Sequence, residues 1–224
     1  MAQSLKRACR IKTIMAKTDN ANLPAKLALR RYFLRKYHAA PPRVLDCCQG
    51  SGVIWTALRK EFELAKYWGL DEKPKPGRLK IDSARILAQP GWSFDVVDID
   101  TYGVPWKHYQ GLIKTARAPV TVFLTLGQTS IGGGGSLTEA EAASLGISFS
   151  RLDLPPSFTA KSLRKLAVSY ILHRCCDYGL GITEALEARS TGSASYFGVR
   201  LEPIRKKTQG NEAQSTPNTT KAMP

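Results

Sequence analysis

Acids and glycines in the first half of the chain form the pattern best suited to do chemistry. Arg43-Val44-Leu45-Asp46-Cys47-Cys48-Gln49-Gly50-Ser51-Gly52 is a short apolar run that ends in an acid and then turns on glycines. Val44 to Cys48 reads as a buried strand, and Gly50 and Gly52 permit a tight turn with close backbone approach to a ligand. From Val53 to Phe62 the spacing of Trp55, Leu58 and Phe62 is helical. Strand, glycine turn and helix are the usual seat of a nucleotide-type cofactor, although a strand-to-helix turn also uses glycine for geometry alone. The phosphate-binding versions fit worse. No Gly-Lys-Ser/Thr ending follows, and Trp55 stands where the third glycine of the dinucleotide fingerprint would fall.

Such residues need elements to position them, and the chain offers these in alternating order. Lys66 to Leu70 is a short apolar run closing on Asp71, where a carboxylate can accept hydrogen bonds from ribose hydroxyls. Leu79-Lys80-Ile81-Asp82 reads as a third strand or its remnant, again ending in an acid. Phe94 to Asp100 is a fourth and Val120 to Leu126 a fifth. Strands buried on both faces of a parallel sheet read as such continuous runs, and ligands sit at their carboxyl ends. Between these two strands a helix begins near Pro105 and Trp106. Lys161 to Tyr178 has helical spacing, with Gly179 and Gly181 as breakers, and Ile182 to Ser190 and Ser195 to Leu201 read as two strands.

At roughly residues 40 to 203 the chain resembles the class I S-adenosylmethionine-dependent methyltransferases. Asp46, Gly50 and Gly52 match the family's first motif, with Cys48 packing under the turn. Asp71 matches its ribose acid, and Asp82 falls near the acid beside the adenine amino group. Asp98-Ile99-Asp100-Thr101-Tyr102-Gly103-Val104-Pro105 is similar to the Asp-x-Asp-Pro-Phe/Tyr-Gly-x-Pro segment of tRNA guanine N2-methyltransferases. The resemblance implies an α/β, Rossmann-like fold: a mostly parallel seven-stranded sheet, helices on both faces and a C-terminal antiparallel hairpin.

It also implies a site. Asp46, Cys48, Gly50, Gly52, Asp71, Asp82 and Asp98 would line the S-adenosylmethionine cofactor, and Asp100, Thr101 and Tyr102 would be catalytic. An exocyclic amine is a poor nucleophile while its lone pair is delocalised into the ring. A carboxylate (Asp100) and a backbone carbonyl (Thr101) accepting its protons localise that pair, and an aromatic face (Tyr102) holds the base. Thr101 replaces the family's proline, so this loop lacks a locked dihedral. The alternative for Asp98 and Asp100 is an acidic strand end that caps the next helix.

Charge bears on the substrate. Lys and Arg number 33 against 18 acids in 224 residues, a formal +15 and a pI near 9.8, which is a footprint for a polyanion. Residues 1 to 43 hold eleven Lys and Arg against the single acid Asp19. Pro24 to Tyr37 reads as a helix with Leu27, Leu29, Phe33, Leu34 and Tyr37 on its apolar side and Lys26, Arg30, Arg31 and Arg35 on its basic side. Those four are the candidate nucleic-acid contacts, the other reading being a solvated face. RNA is favoured over DNA and both over a membrane surface, with a partner protein one source of target recognition. A non-catalytic basic module on the same fold, or a DNA amino-methyltransferase, are the competing readings.

The rest of the sequence narrows the classes. No window of about eighteen apolar residues spans a membrane and the N-terminus has no apolar signal core, so the expected compartment is cytoplasmic. Five cysteines, Cys9, Cys47-Cys48 and Cys175-Cys176, have neither disulfide-scaffold nor zinc spacing. A nucleophilic Cys47 or Cys48 is the lesser alternative to small packing residues. His108, just past the fourth motif, either faces the substrate or starts a helix. The expected organisation is a basic arm (1–22), one domain (23–204, opened by the basic helix 23–38) and a polar tail (205–224). The run from Ser130 to Ser136, with Gly132 to Gly135, reads as a lid or connector to a helix at Leu137 to Leu145.

Overall fold

A computed structural model of the protein describes residues 22–72, 79–101, 105–126, 168–169, 171–189 and 194–204. The expected basic arm, the tail, the Gly132–Gly135 loop, the helix at 137–145 and Tyr102 lie outside these residues. The described chain runs α1 (Leu23–Tyr37), β1 (Arg43–Asp46), α2 (Val53–Leu58), β2 (Lys66–Asp71), β3 (Leu79–Lys80), α3 (Ser83–Leu87), β4 (Val96–Ile99), α4 (Trp106–Thr115), β5 (Val120–Leu126), β6 (Leu180–Arg189) and β7 (Ser195–Pro203). A 3-10 turn, Arg174–Tyr178, precedes β6 and stops at Gly179, whose φ of 75° suits a residue without a side chain.

The sheet has seven strands in the order β3-β2-β1-β4-β5-β7-β6. β1 to β5 are parallel to their neighbours, whereas β7 runs antiparallel to both β5 and β6. The mixed seven-stranded sheet with its reversed strand is what the resemblance implied. The order reverses between β1 and β4, and at such a switch point the carboxyl ends of neighbouring strands diverge and leave a crevice.

Two cores cover the two faces. On one, Val44, Val96 and Phe123 pack beneath α1 and α2 with Phe33, Leu34, Trp55 and Leu58. On the other, Leu45, Val97, Ile99, Val122 and Leu124 meet α3, α4 and the helical residues before the 3-10 turn. Alternation along β1 and β4 therefore sends Val44, Asp46, Val96 and Asp98 to the α1 face, and Leu45, Cys47, Val97 and Ile99 to the other. α1 lies close enough to β7 that a Cβ on Gly198 would overlap the Phe33 ring.

Several boundaries differ from the sequence expectation. α2 stops at Leu58 rather than Phe62, because Lys60 and Glu61 N–H groups bond to Ala57 and Leu58 carbonyls in a tightened turn. β4 is Val96–Ile99; just before it Asp95 bonds through its backbone to Arg43 and Thr121, while its carboxylate accepts from the Arg43 backbone N–H and guanidinium.

Candidate active site

Asp46 and Asp98 are register partners at the carboxyl ends of β1 and β4, and both are buried. Asp98 is clasped by Arg30 of α1, whose Nη2 and Nε donate at 2.6 and 2.7 Å, and by Trp55 Nε1 of α2 at 2.8 Å. With 1% of either side chain of the ion pair exposed, Asp98 is an interior anchor joining β4 to two helices. That corrects the expectation that Asp98 lines the cofactor: its oxygens are committed inward. Trp55, which breaks the dinucleotide fingerprint, is thus a donor in the core.

Asp46 has a different neighbourhood. Tyr67 Oη donates to its Oδ2 at 2.8 Å, and Gln49 Nε2 donates to Tyr67 Oη at 3.2 Å. Burial pushes the Asp46 carboxyl up to about 8, and the Asp98 carboxylate pushes the same way against the Tyr67 hydrogen bond. A Cβ on Gly69 would overlap the Gln49 amide, so glycine there makes the room that this chain of hydrogen bonds occupies.

The glycine turn is as the sequence predicts. Gly50 and Gly52 hold φ of 50° and 72°, and Gly52 leads directly into α2. Gly50 N–H donates to Asp71 Oδ2 at 2.9 Å, and Gln49 N–H to Leu70 O at 2.9 Å, so the ends of β1 and β2 are tied into one rim. Asp82 lies past β3, where its Oδ1 accepts the Ala84 N–H as the N-cap of α3 and its Oδ2 faces Lys107 at 3.3 Å. Cys48 is half-buried against the core and burial raises its thiol, as it does for Cys47. Neither is a thiolate nucleophile at neutral pH. His108 sits in the first turn of α4, with Nε2 3.0 Å from Ser83 Oγ, and burial lowers its pKa.

Asp100 completes the β4 rim. Lys26 Nζ donates to its Oδ1 and Oδ2 at 2.9 and 2.7 Å. Burial works against ionisation, yet Lys26 first and Arg30 second hold the carboxyl below its ordinary value. Thr101 follows with a buried hydroxyl oxygen that has no hydrogen-bond partner. Neither acid caps the next helix, whose N-cap is Pro105.

The basic face expected on α1 is therefore split. Lys26 and Arg30 are 4% and 1% exposed and turned onto the sheet, which removes them from a polyanion's reach and corrects that assignment. Arg31 is paired with Glu61 at 2.9 Å and Arg35 lies open at the surface, 69% exposed and 4.0 Å from Glu61. A signal for this was present: Lys26, Arg30, Phe33 and Tyr37 fall on one helical stripe at steps of four, three and four. The basic-side reading gave way because the acids opposite supply counter-charges that only the folded chain brings near.

Among the described residues no group of acids, histidines and cysteines is arranged to hold a metal. The residues do fit an adenosine-type cofactor: a glycine turn that opens a helix, a ribose-height acid bonded to that turn, and an orphaned hydroxyl at the adjoining strand end.

No protein-family model matches the chain, and no curated protein matches it in sequence. Solved structures do match in three dimensions. Trm1 from Pyrococcus horikoshii, in complex with S-adenosyl-L-methionine, aligns at a TM-score of 0.59 with 15% identity. The fold is the Rossmann-like methyltransferase fold. The match covers 81% of this chain and 55% of Trm1, so the chain spans about half the length of that relative. A candidate hemolysin from Streptococcus thermophilus also aligns at a TM-score of 0.51 and 11% identity, over 80% of this chain and 66% of its own. In this methyltransferase fold the switch point between β1 and β4 carries Asp46, the glycine turn and Asp100 on one rim.

Proposed function

We propose that the protein is an S-adenosylmethionine-dependent methyltransferase acting on nucleic acid, with an exocyclic amino group of an RNA base as the acceptor. The observation that carries this reading is the juxtaposition, at the switch point, of the Gly50–Gly52 turn bonded to Asp71 with Asp100, paired to Lys26, just past the end of the neighbouring strand β4. Asp46, Gly50 and Gly52 would hold the methionine end of the cofactor, Asp71 the ribose and Asp82 the adenine side, while Cys48 packs beneath. The cofactor supplies a methyl group on a sulfonium, an electrophile that needs only an oriented nucleophile. Asp100 accepts an N–H of the incoming amine, the Thr101 carbonyl a second, and Tyr102 stacks on the base. The nitrogen lone pair is thereby freed from the ring, and the proton lost after transfer leaves by way of these acceptors.

The net charge of +15 supports a polyanionic substrate, and the similarity of Asp98 to Pro105 to the tRNA guanine N2-methyltransferase segment supports RNA over DNA. With Lys26 and Arg30 internal, the candidate contacts on α1 are Arg31 and Arg35. They line a shallow groove with Ala28, Tyr32 and Lys36 on the helix's outer side.

Calorimetry with S-adenosylhomocysteine tests the cofactor, and folded protein that shows no binding overturns the proposal. Tritium transfer to total tRNA, ribosomal RNA and DNA, assayed side by side, tests the acceptor. Asp100→Ala should reduce transfer by about 10²-fold or more while RNA binding persists. If wild-type protein binds RNA and transfers nothing, the non-catalytic module is the better reading.

A further inference from the structure

Resting on the reading of Asp100 as the carboxylate that meets the acceptor amine, we propose that Lys26 is a positioning residue that keeps Asp100 ionised and fixed in one orientation. The geometry is a two-point match between a helix and a strand. Lys26 and Arg30 are four residues apart on α1, a rise of about 6 Å. Asp98 and Asp100 are two apart along β4 and its extension, a step of about 6.6 Å on one face. One cation therefore falls on each acid: Arg30 on Asp98 and Lys26 on Asp100.

Lys26 is held in turn. Its Nζ lies 5.0 Å from the centroid of the Tyr196 ring on β7, and its carbonyl accepts Arg30 Nη1 at 3.0 Å. The side chain is 6% exposed, so the ammonium has few alternatives to the Asp100 oxygens. A carboxylate offers about four lone-pair sites, and Lys26 occupies one on each oxygen, which leaves acceptor capacity for an amine N–H. A fixed cation beside that capacity favours a neutral amine over an ammonium as the partner.

The charged and titratable groups that face Asp100 are Lys26 and Arg30 from α1, Asp98 from β4, and Asp46 and Cys48 from β1 and its turn. Without Lys26, the remaining cation Arg30 is already shared with Asp98, and burial would drive Asp100 to bind a proton. A protonated Asp100 no longer accepts the amine.

The test compares Lys26→Met and Lys26→Arg with wild type. For Lys26→Met, the acid limb of the kcat/KM profile should move up by one pH unit or more, with activity falling about ten-fold per unit below it. Lys26→Arg should restore the wild-type limb. A Lys26→Met enzyme weakened equally at all pH values, with its acid limb unmoved, overturns the proposal. Carbon-13 NMR of the Asp100 carboxyl in wild-type protein reads the same point without a variant or an activity. Titration below the ordinary aspartate range supports the role of Lys26, and titration at or above it overturns that role. If wild type transfers no methyl group yet Asp100 titrates low and rises in Lys26→Met, the proposed reaction fails and the electrostatic hold stands.

Discussion

Asp46 and Asp98 face each other in register across β1 and β4, yet Asp98 shares two hydrogen bonds with Arg30 while Asp46 receives the Tyr67 hydroxyl. The same burial therefore has opposite consequences. Arg30 balances the charge of Asp98, and Asp46, with its carboxyl near 8, keeps its proton at neutral pH.

The first prediction concerns stability against pH. Between about 4 and 8 the folded protein retains a proton on Asp46 that the unfolded chain has released. Stability from this group is complete below the unfolded value and is lost as pH rises through the folded one, by at most about 1.4 kcal/mol per pH unit. Asp46→Asn keeps a neutral side chain and should flatten that slope in urea melts taken across the window. An unchanged slope would assign it to other groups.

Arg30 should be the most sensitive charge in the core. Arg30→Met leaves Asp98 buried without a cation and should cost about 3–5 kcal/mol, read as a fall in the urea midpoint. Adding Asp98→Asn to it should recover part of the loss, because the uncompensated charge is then gone. A single variant as stable as wild type would show that other groups, or water, compensate Asp98.

Packing between α1 and β7 should be equally exacting. Gly198→Ala drives a methyl group into the fully buried Phe33 ring, and overpacking of this kind costs about 1–3 kcal/mol. Phe33→Leu in the same chain should offset the clash, giving a non-additive double-mutant cycle. Additive losses would mean that the two positions do not meet.

If α1 carries RNA on its outer side, Arg31→Ala with Arg35→Ala should weaken binding across sequences. The salt slope should shrink by about 0.7 for each single-strand phosphate that the protein no longer neutralises. Fluorescence anisotropy over a salt series measures both. Unchanged affinity and slope would move the basic interface elsewhere on the molecule.

Much of the fold was legible because local rules agree with the global one. The runs at Val44, Val96 and Val120 are apolar over both faces, as central parallel strands must be, whereas β2 is buried only at Leu70, and the glycines after Asp46 have the positive φ that the turn demands. The ends of elements were less legible. Phe62 continues a helical spacing but sits in a turn tightened by the Lys60 and Glu61 N–H groups, and Asp95 belongs to the apolar run yet lies ahead of β4 with its carboxylate on Arg43, a partner 52 positions away.

What the sequence determined by itself is the succession of strands and helices apart from α3, the glycine turn and the placing of acids at strand ends, all consequences of short-range periodicity and backbone freedom. Tertiary structure alone decided which charges are buried in ion pairs and which stay at the surface. Lys26 and Arg30 read as surface cations until α1 packs on β4. There they meet Asp100 and Asp98, 74 and 68 positions away, and an ion pair's strength depends on distance and burial rather than on sequence separation.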